Sequence, residues 1–293
     1  MNAEISAPPT EMSIEMIIDD FNQNLSRAAE ALGITVASNI QVDAARSLDG
    51  LMNQAIAVMH QAIDRNEEDI ANLLLAFQCT IGALRAELLM WVLLKRDLPN
   101  AAWDQLVAAQ LGCLDAVRAH EGFDGCQRHL KSLNELESTL FPPQTFLSAG
   151  FVADRLDCSI CGERYATCRH LRGKAYMGAF CEVVHRNPRG DHVAIVKVPA
   201  DKRCRVISIK TESGHRDKLS LEVTPYTSSE TFVADGPLEV QSILLSTNRY
   251  PYMFSSETVL GKGGRPEATS TFPAQPAHSL TEEDPLVSNN AEE

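Results

Sequence analysis

The chain is poor in positive charge: 26 lysines and arginines stand against 39 aspartates and glutamates, for a formal net charge of -13. An acidic surface repels a polyanion, so wholesale coating of nucleic acid is excluded. A secretory signature is missing as well, because Met1–Glu15 carries acids and two prolines where a basic start and an apolar run belong. No long apolar run is free of polar breaks. The most apolar stretch, Ile70–Leu94, contains Asn72, Gln78, Arg85 and Glu87, which reads as a buried helix and not as a membrane span. The expectation is a cytoplasmic protein without a membrane partner, and in that reducing setting clustered cysteines point to metal instead of disulfides.

What is present includes an apolar fraction of 44%, enough for a sizeable core. In the first half apolar residues recur at steps of three and four. Ile14, Ile18, Phe21, Leu25, Ala28 and Leu32 form one stripe, and Met52, Ile56, Met59 and Ile63 a second. A third runs Ile70, Leu74, Phe77, Ile81, Leu84, Leu88, Trp91; a fourth Trp103, Val107, Leu111, Leu114; a fifth Cys126, Leu130, Leu133, Leu140. Such spacing predicts helices packed in a bundle, an elongated helical hairpin or a coiled coil. Pro99 is read as breaking the third helix, with Asn100 as N-cap of the fourth. After Pro142-Pro143 the pattern changes to short β-branched runs. His192–Val198 and Cys204–Ile209 are the clearest strands, Leu219–Val223 and Val240–Leu245 weaker ones. The reading is an α+β chain: a flexible N-terminus over 1–11, a helical domain over 12–145, a small zinc-stabilised, mostly β domain over 150–254, and a disordered tail over 255–293. The tail holds a single aromatic, Phe272, too little apolar surface to offset the entropy of ordering.

The chemistry concentrates in the run Cys158-Ser-Ile-Cys161-Gly162 and Cys168-Arg-His170. Zinc takes four thiolate or imidazole donors in a tetrahedron. The first pair sits on a tight turn that Gly162 permits. The second pair, two residues apart, would share one face of an extended strand. One structural zinc ion (Zn2+) per chain is expected on Cys158, Cys161, Cys168 and His170, with Cys181 as the alternative fourth ligand and His185 a more distant one. A closed set of this kind leaves no open position for water, and several thiolates weaken the metal as a Lewis acid. Glu163 is read as a solvated loop residue.

Extended by Gly173, Tyr176, Gly178 and Cys181, the motif resembles a cysteine-rich motif of uncharacterised phage- and prophage-type proteins. Asp191-His-Val-Ala-Ile-Val-Lys-Val-Pro199-Ala200-Asp201 resembles the strand-and-turn segment of tailed-phage prohead proteases. The resemblance implies a related β fold. Those proteases use serine, and the matching position here is Ala194, so it implies the fold with the proteolytic chemistry absent. His192 takes no catalytic role in this reading.

Cys79, Cys113 and Cys126 lie on or beside helical stripes and read as core residues, with a loose His120/Cys126/His129 grouping as the rival. From Arg155 to Arg205 cations outnumber acids. Arg164, Arg169, Arg172, Lys174 and Tyr176, together with Tyr165 and Phe180, form the candidate nucleic-acid surface. Three functions follow in order. The first is a non-enzymatic interaction protein that takes a protein partner or a second copy through its helical domain. The second is a nucleic-acid-binding module, and the third is a diverged hydrolase using Ser208 or Ser220.

Overall fold

The computed structural model describes residues 14–33, 35–227 and 230–261. The expected flexible N-terminus and the tail beyond 261 lie outside them. Five helices come first: α1 (Ile14–Glu30), α2 (Ser38–Asp64), α3 (Glu68–Lys95), α4 (Pro99–Ala119) and α5 (Gly125–Leu140). The chain is thus α+β, with its helices ahead of a sheet-rich part, as the periodicities required.

Two tight turns set the bundle. After α2, Asn66 adopts a left-handed conformation (φ 57°). Its amide donates to the Ile63 carbonyl at 2.9 Å, and the Glu67 amide donates to that of Ala62 at 2.9 Å. After α3, Asp97 (φ 56°) and Leu98 repeat the pattern onto Leu94 and Leu93, at 3.1 and 3.0 Å. Paired bonds of this kind satisfy the last helical carbonyls and turn the chain back within three residues. The consecutive helices α2, α3 and α4 therefore pack as neighbours. Pro99 occupies the first position of α4, and Leu98, not Asn100, is its N-cap. A ring without an amide proton costs nothing there, because that amide has no helical partner. Asn100 does something else. It accepts from the Arg205 guanidinium at 2.7 Å and donates to Asp217 at 2.8 Å, tying the start of α4 to the sheet region.

α3 is enclosed on nearly every side, with Ala71, Leu75, Cys79, Ala83, Leu89 and Val92 buried as completely as its predicted stripe. It is long and apolar enough to cross a membrane by composition, but protein covers it instead. Small residues let its neighbours close in. A Cβ on Gly112 of α4 would lie 2.8 Å from the Cys79 carbonyl, and one on Gly82 would lie 2.6 Å from that of Tyr252. Acidic Glu68 and Asp69 at its start and Lys95 at its end match the helix dipole.

The sheet region contains β1 (Phe146–Val152), β2 (Arg155–Cys158), β3 (Ala175–Tyr176), β4 (Ala179–Phe180), β5 (Val183–Arg186) and β6 (Arg189–Val196). It continues with β7 (Val206–Thr211), β8 (Gly214–Asp217), β9 (Val223–Thr224) and β10 (Val240–Ser242). β10, β7, β8 and β9 form one antiparallel sheet in that order. β1 pairs with β6 and β2 with β5, both antiparallel. The Asp154 amide bonds the Arg186 carbonyl between them. The result is a nearly continuous two-stranded ribbon, 146–158 against 183–196. Of the expected strands, 192–198 and 204–209 overlap β6 and β7 with their ends offset by two or three residues, and 240–245 shortens to β10. Leu219–Val223 keeps only its last residue, in β9.

The ribbon is rooted at both ends. At one end Phe146 stacks beside Trp103, whose ring Nε1 donates to the Lys202 carbonyl at 3.1 Å. At the other, the β3–β4 hairpin inserts into the bundle. Its turn residues Met177 and Gly178 both have positive φ (46° and 74°), the conformation that matches strand twist in a two-residue hairpin. The Gly178 amide donates to Asn72 at 2.9 Å. A Cβ at Gly178 would strike Met59 at 2.8 Å.

Part of the expected tail, 255–261, lies among the described residues. Ser255–Gly261 belongs to the core: α6 (Ser256–Gly261) packs on the bundle, with Ser256 and Val259 buried. Asp49 of α2 accepts from the Ser256 amide, with both oxygens at 3.1 Å, and from its hydroxyl. The buried Arg85 donates to Asp49 and to the Tyr252 carbonyl, each at 2.7 Å. These are long-range polar bonds, from side chains to backbone and to one another, and they are invisible to a composition argument.

Candidate metal centre

Cys158 ends β2, and the chain turns back at once. The Gly162 amide donates to the Cys158 carbonyl at 2.9 Å, and the Cys158 amide to that of Glu163 at 2.9 Å. Gly162 has φ +72°, which a side chain would resist. The Ile160 amide points at the Cys158 sulfur, 3.4 Å away, so the loop supplies a donor to a thiolate before any metal is considered. Arg164 bridges back to Asp157, and a further turn on its carbonyl delivers Cys168. Cys168 and His170 leave that turn in irregular backbone, not in the strand the sequence suggested. They nonetheless face the first pair.

The donor atoms of Cys158, Cys161, Cys168 and His170 lie within 4.8 Å of one another. A tetrahedral site with metal–sulfur bonds of about 2.3 Å has edges of roughly 3.8 Å, so the four can hold one metal ion with small adjustment. The His170 Nδ1 is buried and meets no hydrogen-bond partner among the described residues, as a ligand nitrogen should. Its ring is fixed edge-on against Tyr176, centroids 4.7 Å apart. Burial pushes the Cys158 thiol up, but the amides of Cys161 and Ile160 and the neighbouring thiols outweigh it and bring it to about 6. Cys181 lies outside the group of four, although its Sγ is 3.6 Å from that of Cys158. Burial and the Cys158 sulfur push its thiol up to about 12. His185 stands on the exposed part of β5.

The candidate nucleic-acid residues surround this loop, yet several are already in use. The hydroxyl of Tyr176 accepts from the Leu171 amide at 2.9 Å and that of Tyr165 from the Arg172 amide at 3.1 Å, so both brace the segment after His170. Lys174 lies over the Tyr176 ring, and Arg172 approaches Glu182 at 3.9 Å. Phe180 is buried and stacked on Tyr250, which removes it from the set of base-stacking residues. Arg155 and Arg186 both bind the buried Asp157, and Arg189 binds Asp154. Arg164 and Arg169 are exposed.

The loose grouping of His120, Cys126 and His129 does not converge. His120 accepts from the Gly122 amide, and His129 pairs with the buried Glu87 at 2.7 Å. Cys79 and Cys113 are buried, as core residues would be. Ser208 is buried and donates to Gln241, while Ser220 accepts from the Glu222 amide.

Sequence reasoning missed Glu182. Next to Cys181, it accepts from Tyr250 at 3.1 Å and from Arg249 at 3.2 Å, which links the loop to the C-terminal segment. Adjacency to a cysteine was its only sequence signal. No family model, curated protein or solved structure matches the chain.

Proposed function

We propose that the protein is a non-enzymatic interaction module in which one zinc ion, held by Cys158, Cys161, Cys168 and His170, is structural. The observation that carries this reading is the convergence of those four donors in a loop with little apolar core of its own. Between 158 and 183 the buried side chains are Cys158, Ala175, Phe180 and Cys181, and the two that are not cysteine belong to the hairpin docked on the helices. A loop so thinly packed gains most of its order from a cross-link, and the binding free energy of a structural zinc becomes folding free energy. The ion's task is to fix the loop that seats the ribbon on the bundle, and three thiolates suit it to that role better than to activating water.

Elemental analysis of the protein purified without added zinc tests the proposal. Wild type should carry one zinc per chain, and His170→Ala should carry much less. A wild type without metal would refute it. The rival nucleic-acid module rests on the candidate residues Arg164 and Arg169, which are exposed. It predicts binding that falls steeply as salt rises.

A further inference from the structure

β6 is an edge. Among the described strands it pairs with β1 alone, so the backbone groups on its other side face outward. It also carries apolar side chains that the fold leaves uncovered: Val193 is 52% exposed, Ile195 77% and, just past the strand, Val198 89%. In the β1 register Leu147 lies opposite Ile195 and Ala149 opposite Val193, so Val193 and Ile195 share one apolar face of the ribbon. Natural edges of this kind are usually blunted by charge, proline or a covering element. His192–Val196 contains no lysine, arginine, acid or proline.

The sequence around this edge is self-complementary. Taking Ala194 as a centre, Val193 and Ile195 are equidistant from it, as are His192 and Val196, and Asp191 and Lys197. Antiparallel pairing of two copies about Ala194 sets Val193 against Ile195 of the second copy, and Ile195 against its Val193. It also sets Asp191 against the opposing Lys197, twice. Apolar meets apolar in the Val193–Ile195 pairs and acid meets base in the Asp191–Lys197 pairs, while the His192–Val196 pairs set an imidazole beside an aliphatic side chain. A shift by one residue in either direction loses the charge match and turns the apolar rows to opposite faces. The bulge in the β1–β6 ladder falls on Asp191, which is skipped between the pairs Gly150–His192 and Phe151–Gly190. The acid is thereby turned out of the ladder, and among the described residues it meets the adjacent His192, at 3.0 Å.

We propose that this edge is a homodimer contact, in which β6 pairs antiparallel with β6 of a second copy about a two-fold axis through Ala194. This deepens the interaction-module reading by naming the occupant as another copy of the chain. Each cross-strand pair contributes a modest amount and each occurs twice, so substitutions on this short contact act with doubled effect.

The test is sedimentation equilibrium over a wide range of concentration on zinc-replete full-length protein, with metal content measured on the same samples. Wild type should dimerise. Ile195→Asp, an exposed position where folding is little affected, should raise the dimer dissociation constant by roughly tenfold or more. Asp191→Lys and Lys197→Asp should each weaken the dimer by opposing like charges, and the double variant should restore it. A wild type that stays monomeric at every concentration while holding its zinc overturns the dimer and leaves the metal reading intact. A dimer indifferent to Ile195→Asp, or one that the double charge exchange does not rescue, places the contact elsewhere and also overturns it.

Discussion

Arg249 grips Asp115 with two parallel hydrogen bonds of 3.0 Å each, on a carboxylate that solvent does not reach. The same carboxylate accepts from the Tyr252 hydroxyl at 2.9 Å and from Arg118 at 3.1 Å. Arg249 in turn contacts Glu182, next to the cysteine loop. Through this chain a buried acid on α4 fixes the segment 249–252 and, beyond it, the flank of the metal loop.

The first prediction concerns that acid. Asp115→Ala should lower stability by about 3–5 kcal/mol, because Arg249 and Tyr252 would be left partly buried without their shared acceptor. Asp115→Ala/Arg249→Met should recover only part of the loss, since Arg118 loses its acceptor and the buried Tyr252 hydroxyl is left with the weaker Cys79 sulfur at 3.5 Å. Urea midpoints for the four proteins of this double-mutant cycle measure the coupling. A single Asp115→Ala variant within about 1 kcal/mol of wild type would show that water replaces the network at little cost.

The second prediction separates Cys181 from the four expected ligands. Cys181 is close to Cys158 but outside the group of four, so Cys181→Ser should keep zinc at one per chain, while Cys168→Ser should lose it. Chelator competition on both variants gives the order of affinities. Loss of metal from Cys181→Ser with retention in His170→Ala would replace the expected ligand set by four cysteines.

How much of this was legible depends on which residues carried the information. The stripes on α1, α3, α4 and α5 are local and periodic, and they located those helices. The Cys-x-x-Cys-Gly turn is likewise local, so the four donors could be named without a fold. The start of α2 was hidden, because its first buried positions, Gln41, Val42 and Ala45, include a polar and a small residue that do not read as an apolar stripe. β3, β4 and β8 are too short for alternation to register. The tail boundary failed for a different reason. Composition sees few apolar residues after Phe254, whereas order there rests on Asp49 and Arg85, some two hundred residues earlier. Long-range polar bonds leave no periodic mark.

The third prediction follows from His129, whose Nε2 meets the buried Glu87 at 2.7 Å across α5 and α3. The hydrogen bond to Glu87 raises the imidazole above its ordinary 6.5, against the opposing effect of burial. A histidine whose folded value is raised binds its proton more tightly when folded than when unfolded. Its contribution is therefore fully present below the unfolded value and is lost as pH rises through the higher folded value. The stability difference between wild type and His129→Gln should accordingly be largest below about pH 6.5, the unfolded reference. It should shrink as the pH climbs above neutrality. The His129 side chain is 36% exposed, so solvent screening should keep the effect below about 1 kcal/mol. Denaturant midpoints of both proteins on the acid and alkaline sides of that value measure it. A difference that is constant with pH, or that grows toward alkaline pH, would mean that the Glu87–His129 contact is not an ion pair in the folded protein.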